Sequence, residues 1–496
     1  LVSILILAWN SQHFIEATRG IDERVKVDVV SVQEVNRTNS FPDPSKYDVA
    51  VINQMGRGDW EEEFAKRAKF LVAFKSSVDS LSSVSREEYE ILSRYLAYDG
   101  LENLRNFVLR IASYFEDVKA EDPKPLPWNG IYHPEGGFFP DLESYLNWYG
   151  EREDLVGILF YRGRYVYRNT EHIDLLIEEI EKRGLGVIPV FTMTFPDESV
   201  GMPGVDEAIS KYFFSEEPVI SALVWALYFR VCWDMELLER LDVPVINAIE
   251  IYANSPEEWE RSEKGLNPVT LSMAVALPEF NGVINPTVLS GEIRTAEILK
   301  AVPVKERVGR IAEQVVRWVR LRRKKNFEKR VAIVLHQSDI GNVEANLGTA
   351  LGLDTFESVR EILRAMKERG YDVVVPERVE VCGWRSEWNP DPECAVRVIP
   401  DPDKLPERVR REITETWGEP EEVCIPGRWY GKVFVTVQPM RADIKNPEEY
   451  HRLIHDPTLP VPHRYYAFYD FIVENFDAVV HVGKHGSVEW LPGKSV

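Results

Sequence analysis

The feature that most restricts the fold is a recurring rhythm of short apolar runs separated by polar, helix-compatible stretches. In the N-terminal part the runs fall at residues 1–8, 25–32, 48–53 and 70–74, rich in Val, Ile, Leu and Phe. Short runs of this kind, alternating with helix-compatible stretches, are the pattern of a doubly wound α/β unit. The rhythm returns at 156–160, 187–191, 243–251, 331–336, 433–437 and 478–482. Helical segments lie between them. Residues 86–117 carry Tyr89, Leu92, Tyr95 and Leu96 at helical spacing and predict one long helix. Thr170 opens a helix with Ile173, Leu176, Ile177 and Ile180 on one face, and Gly184 stops it. Asp354 opens another, with Glu357 at the capping-box position. The expected fold class is α/β: a multidomain chain with several doubly wound, Rossmann-like parallel-sheet units.

A chain of 496 residues is too long for one core. The expected division is an N-terminal α/β domain over 1–120, a Pro/Gly-rich linker over 121–150, a second α/β domain over 151–330 and a third over 331–496. Five prolines between 123 and 140, with Gly130, Gly136 and Gly137, predict an irregular connector. Its Trp128-Asn129-Gly130-Ile131-Tyr132-His133-Pro134 stretch reads either as plain linker or as a cavity-lining loop. A long basic helix over 307–323 closes the second domain, and the cations 322–325 that come after it suit a solvated helix end. A strand is expected at 373–375 and an irregular insertion over 382–430. The first residue is Leu1, not Met, and the chain stops soon after its richest segment. Both ends are therefore expected to be cut from something longer, and the third domain to be incomplete at its C-terminus.

Several function classes are disfavoured. The net charge of −22 repels phosphate backbones, so no nucleic-acid partner is expected. No apolar run approaches the roughly 18 residues of a membrane span, and residues 1–8 read as a strand rather than a signal peptide. No G-x-G-x-x-G follows the first strand, which removes support for dinucleotide binding there. The cysteines, Cys232, Cys382, Cys394 and Cys424, form no C-x-x-C pair. They predict a reducing, cytoplasmic setting without a disulfide framework.

The densest chemistry lies near the C-terminus, in Val480-His481-Val482-Gly483-Lys484-His485-Gly486-Ser487-Val488-Glu489-Trp490-Leu491-Pro492-Gly493-Lys494. His481, His485 and Glu489 are the candidate metal ligands and proton acceptors, because imidazole titrates near neutrality and both side-chain types ligate borderline divalent metals. The glycines argue against a helix here. The segment instead leaves the carboxyl end of a strand, where α/β folds bind ligands. Gly493-Lys494-Ser495 is not a P-loop, since Val488 stands where its first glycine would be, and Val482 after His481 excludes H-E-x-x-H. Five of the nine histidines lie from His451 onward, His463 among them. Arg441, after Gln438-Pro439-Met440, is a candidate partner for a substrate carboxylate. Gln438 and His463 complete the candidate substrate-binding set.

These residues resemble the signature of the large subunit of cobaltochelatase and of the related H subunit of magnesium chelatase. Further blocks carry the resemblance: His455-Asp456-Pro457, Leu459-Pro460, Pro462-His463, Tyr466-Ala467-Phe468-Tyr469, Gly348-Thr349-Ala350-Leu351-Gly352-Leu353-Asp354, and Ala276-Leu277-Pro278-Glu279. Val482, Lys484 and Trp490 are similar to the cobalt type. Pro439-Met440-Arg441-Ala442 departs from the family's Pro-Pro-Arg-Gly, and family members continue well past this point, so only an N-terminal part is matched. The resemblance implies ATP-dependent insertion of a divalent metal, Co²⁺ or alternatively Mg²⁺, into a tetrapyrrole. It implies a large subunit that binds the ring and the metal, a place in cobalamin biosynthesis for the cobalt type, and separate AAA+ partner subunits that hydrolyse ATP. A non-catalytic tetrapyrrole carrier is the alternative of another class.

Overall fold

A computed structural model of the chain describes residues 1–54, 56–229, 233–252, 254–295, 299–336, 348, 350, 352–384, 394–442, 452–453, 455–483 and 486–494, without the Glu489 side chain. The fold is α/β, built on parallel-containing sheets. The chain divides into two compact units, Leu1–Val316 and Arg317–Ser495, with the border inside the helix Lys305–Arg323. No described helix is long and apolar enough to cross a membrane.

The first unit contains two sheets. Strands β1 (Val2–Ala8), β2 (Val25–Ser31), β3 (Val49–Asn53) and β4 (Leu71–Phe74) pair in parallel in the order β2-β1-β3-β4. Their side chains alternate between two cores. Ile4, Ile6, Val49, Val51 and Val72 meet Leu92, Tyr95, Leu104 and Phe107 on one face. Leu5, Leu7, Ala50, Ile52 and Ala73 meet Val35, Trp60 and Phe64 on the other. Burial on both faces is why β1, β3 and β4 read as largely apolar runs, whereas the edge strand β2 carries Lys26 and Asp28 and is mostly half-buried.

The predicted helix over 86–117 is two helices, Arg86–Tyr98 and Leu101–Ala112. The break is at Asp99 and Gly100, which take φ +62° and +89°, a region no α-helix enters. The apolar stripe continues across the break, so periodicity alone runs the two together.

The second sheet comprises β5 (Gly130–His133), β6 (Gly137–Phe139), β7 (Leu155–Tyr161), β8 (Gly186–Thr192), β9 (Ala222–Ala226), β10 (Val245–Glu250), β11 (Val283–Arg294) and β12 (Leu299–Pro303). Their order is β12-β11-β10-β9-β7-β8-β5-β6. The strands from β11 to β8 are parallel, while β12 and the β5–β6 hairpin are antiparallel edges. The expected Pro/Gly-rich linker over 121–150 therefore contains an edge hairpin. Gly137 at its turn adopts φ +74°, which glycine reaches without steric cost.

The second unit is built on β13 (Val331–Leu335), β14 (Cys394–Val398), β15 (Val423–Tyr430), β16 (Val433–Val437) and β17 (Ala478–Val482), in the order β14-β15-β16-β13-β17. β16, β13 and β17 are parallel, and β15 and β14 extend the sheet antiparallel. The region 382–430 is thus not wholly irregular: it supplies two strands and the helix Glu407–Trp417. The expected strand at 373–375 reduces to one bridge, Val373 to Gly431. The expectation of no disulfide is also corrected. Cys394 and Cys424 are bonded between the adjacent strands β14 and β15, with Cα atoms 5.4 Å apart. Partners 30 residues apart are joined by sheet pairing, which spacing in the chain does not reveal.

Candidate functional site

The second unit presents three parallel strand ends side by side. Leu335 of β13 is in register with Val437 of β16 and Val482 of β17, so His336, Gln438 and Gly483 leave the same carboxyl edge. Main-chain bonds tie them: Gln438 N donates to Leu335 O at 2.8 Å, and His336 N to Val482 O at 3.3 Å. Gly483 sits at φ +150°, and a Cβ there would fall 2.8 Å from the Cβ of His336. Only glycine lets the chain turn away from β17 at this point.

The segment after β17 is pinned from beneath by buried polar side chains. Gln438, 4% exposed, accepts from the Ser487 amide at 3.2 Å and donates to the Tyr469 hydroxyl at 2.6 Å. Tyr465 and Ser487 share a hydroxyl–hydroxyl bond of 3.0 Å. Tyr465 and Tyr469 lie four residues apart on the helix His463–Asn475, hence on one face. The ring of His481, exposed on β17, lies nearly parallel to Tyr469 with centroids 6.2 Å apart.

Arg441 is 1% exposed and is committed to the backbone. Its Nη2 donates to the carbonyls of Leu459 at 2.6 Å, Trp490 at 3.1 Å and Asp456 at 3.2 Å. Burial pushes its pKa down, against the opposing pull of Tyr465 and Asp456. The guanidinium thus joins the 456–460 loop to the far end of the signature. His455 stands edge-on to Trp490, with ring centroids 4.6 Å apart.

The predicted residues are distributed unevenly. Gln438 and His481 share the Tyr469 cluster. Arg441 holds the segment's end instead of facing outward with a free fork. His463 sits at the start of its helix, and its Nε2 lies 2.7 Å from the Gly418 carbonyl. Glu489 belongs to the short turn Val488–Trp490. His485, His451 and the Glu489 side chain lie outside the described residues. Among those described, no three His, Cys, Asp or Glu side chains converge on a metal position. Sequence reasoning missed Tyr465, Tyr469 and Ser487. The four-residue spacing of the two tyrosines was the available signal.

It also missed a polar network in the first unit. Arg164 Nη2 lies 2.7 Å from Glu250 Oε2, and His172 Nε2 lies 2.9 Å from Glu250 Oε1, all three side chains being buried. Burial pushes the Glu250 carboxyl up, but the Arg164 charge and His172 outweigh it and hold the group at about 2. Glu250 ends β10 and Arg164 follows β7, so the network marks the carboxyl edge of the second sheet.

Comparison with known proteins places these features. The CobN/Magnesium Chelatase family model matches residues 93–496. An uncharacterised protein of Methanocaldococcus jannaschii is 33% identical over 453 residues, covering 81% of this chain and 36% of that protein. The aerobic cobaltochelatase subunit CobN of Pseudomonas aeruginosa is 30% identical over 452 residues, covering 84% and 35%. The chloroplastic magnesium-chelatase subunit ChlH of Oryza sativa is 28% identical over 524 residues, covering 91% and 37%. The chain spans little more than a third of the length of these relatives. The solved catalytic subunit of cobaltochelatase from Mycobacterium tuberculosis shares the fold, with a TM-score of 0.63 at 23% identity, over 99% of this chain and 44% of that one. On the family match and these relatives, the chain belongs to the CobN/magnesium chelatase family.

Proposed function

We propose that this chain is part of the tetrapyrrole- and metal-binding large subunit of an ATP-dependent chelatase that inserts Co²⁺ into a corrin-type ring in the cytoplasm. The observation that supports it most is the position of the signature: it leaves the carboxyl edge of a parallel sheet, on a bed of buried hydrogen bonds from Gln438 and Arg441. Insertion needs a base for the ring N–H protons and a site that holds the ion without trapping it. In this reading His481, His485 and Glu489 supply both, since imidazole and carboxylate bind divalent metals and imidazole accepts protons near neutrality. Gln438 and Arg441 act through the segment they orient, and His463 lies at the margin of the substrate site. ATP is hydrolysed by AAA+ partner subunits. In a cytoplasmic setting, cellular thiols hold the Cys394–Cys424 pair reduced.

Magnesium is the second reading, favoured by the chloroplastic magnesium-chelatase subunit, which is nearly as similar as the cobaltochelatase one. The test is reconstitution of the large subunit carrying this sequence with AAA+ partners and ATP, offering Co²⁺ with a metal-free corrinoid and Mg²⁺ with protoporphyrin. The metal-ring spectrum reports insertion. Cobalt insertion that is lost in His485→Ala and Glu489→Gln supports the assignment. Insertion of magnesium alone moves it to the second reading. Ring binding without insertion of either metal makes the protein a carrier, and unchanged insertion in both variants overturns the residue roles.

A further inference from the structure

The first unit holds a cleft of about 520 Å³ that the tetrapyrrole reading does not use. That volume is within the range of small-molecule sites, roughly 300–1,000 Å³. The cleft lies where two sheets present strand ends: Trp9 and Asn10 follow β1, Gln54 follows β3, Lys75 follows β4, and Tyr161 ends β7. In the order β2-β1-β3-β4 of parallel strands, the strand order reverses between β1 and β3. Open α/β sheets take ligands at that switch point.

Most charges lining the cleft are internally satisfied. Asp79 accepts from the Ser76 amide at 2.8 Å, Asp197 from the Ser199 amide at 3.0 Å, and Asp99 from the Tyr167 hydroxyl. Arg294 is held by Glu292 at 3.0 Å and Arg164 by Glu250 at 2.7 Å, while Arg162 donates to the Pro127 and Tyr98 carbonyls. Lys75 differs. Among the described residues its side chain makes neither an ion pair nor a hydrogen bond, although its charge acts at longer range on Asp99, and its backbone is held at φ +54°, a conformation that costs a non-glycine residue energy.

Two further observations point to a ligand. The helix Ser11–Thr18 opens on the cleft, and its N-cap Asn10 makes no side-chain cap; the His13 amide donates to the Asn10 carbonyl at 3.0 Å, which leaves the Ser11 and Gln12 amides as donors. Gln54, 1% exposed, lines the same cleft, and its Oε1 has no hydrogen-bond partner. Trp9, Phe74 and Tyr89 provide aromatic walls.

We propose that this cleft binds a small organic anion with a flat body. Lys75 and the amides of Ser11 and Gln12 hold its carboxylate or phosphate head. The aromatic walls take the body, and Gln54 Oε1 accepts from a hydroxyl or amino group on it. The site is independent of the metal-insertion reading, because every residue named lies in the first unit.

Titration calorimetry on the full chain tests it with adenylate and naphthoate as anionic probes and adenosine as the neutral control. At least one anion is expected to bind with Kd below about 1 mM, and adenosine at least about tenfold more weakly than adenylate. Which anion binds separates a phosphate head from a carboxylate one. Lys75→Gly relieves the positive φ, so it is expected to keep the melting temperature while weakening the anion about tenfold; Lys75→Arg is expected to retain binding. No heat from either anion, adenosine binding as tightly as adenylate, or wild-type affinity in a folded Lys75→Gly protein would each overturn the proposal.

Discussion

Arg441 donates to the Trp490 carbonyl at 3.1 Å, which fastens the last turn of the signature to a guanidinium that is itself 1% exposed. Removing that fork strands carbonyls of Asp456, Leu459 and Trp490 in a part-buried setting. Arg441→Ala is expected to destabilise the second unit by about 3 kcal/mol, the scale of a buried charged hydrogen-bond group lost with its partners left unpaired. Arg441→Lys keeps the charge but not the planar fork, and should fall between the two. Urea denaturation monitored on the second unit checks this. An alanine variant as stable as the parent would return Arg441 to the role of a free carboxylate partner.

Locality decides how much of this was legible in the sequence. Strands β1, β3 and β4 were readable because they are largely buried on both faces and alternate between two cores, while the edge strand β2, with Lys26 exposed and Asp28 half-buried, was readable from its valines. The break at Asp99 was not readable: its φ is +62° and its side chain is bonded by the Tyr167 hydroxyl, 68 residues away, a partner that local periodicity does not reveal. The pairing of Cys394 with Cys424 depends on the register of β14 against β15, which composition does not encode. At the candidate site, the strand-to-turn exit after Val482 was legible from Gly483 and the apolar run before it. The bed of Gln438, Tyr465 and Tyr469 was not, because it joins two segments distant in the chain.

Acid should unfold the first unit in two windows. Burial first, then the Arg164 and Arg294 charges, lower the His13 pKa from 6.5 to about 4. The unfolded chain therefore takes up this proton first, and stability is lost as pH falls from 6.5 towards 4. Glu250, held at about 2 against its ordinary 4.5, contributes stability that is full above 4.5 and lost as pH falls towards 2. His13→Gln is expected to flatten the upper window. Glu250→Gln should flatten the lower one and cost about 3–5 kcal/mol at neutral pH, because Arg164 loses its buried partner. Urea melts at a series of pH values measure both, and profiles parallel to the parent would contradict the assignment.

The Cys394–Cys424 bond closes a loop between partners 30 residues apart. Loop closure of that length is worth about 2–4 kcal/mol through the unfolded state. Oxidised protein should therefore melt at a higher temperature than protein held in dithiothreitol, and Cys424→Ser should melt alike in both. Identical melting of the parent with and without reductant would show that the bond does not contribute.

Gly483 supplies the last test, because its two constraints act in the same direction. Its φ of +150° disfavours any side chain, and a Cβ would stand 2.8 Å from that of His336, on the neighbouring strand end. His336 cannot yield easily, since its amide is bonded to Val482 O at 3.3 Å and its carbonyl accepts from Gly348 N at 2.8 Å. Gly483→Ala should therefore either part β13 from β17 at their carboxyl ends or turn the signature away from its bed on Gln438. Strain of this kind costs about 1–3 kcal/mol. If it is released by parting the strands, amide exchange at His336, whose bond crosses to β17, rises while that at Gln438, bonded to β13, does not. If it is released by turning the segment, the Ser487 amide loses its bond to Gln438, and exchange rises at Ser487 alone. Either outcome is expected to reduce metal insertion by the reconstituted complex. A Gly483→Ala variant with parental exchange rates and parental insertion would show that the turn after β17 does not require glycine.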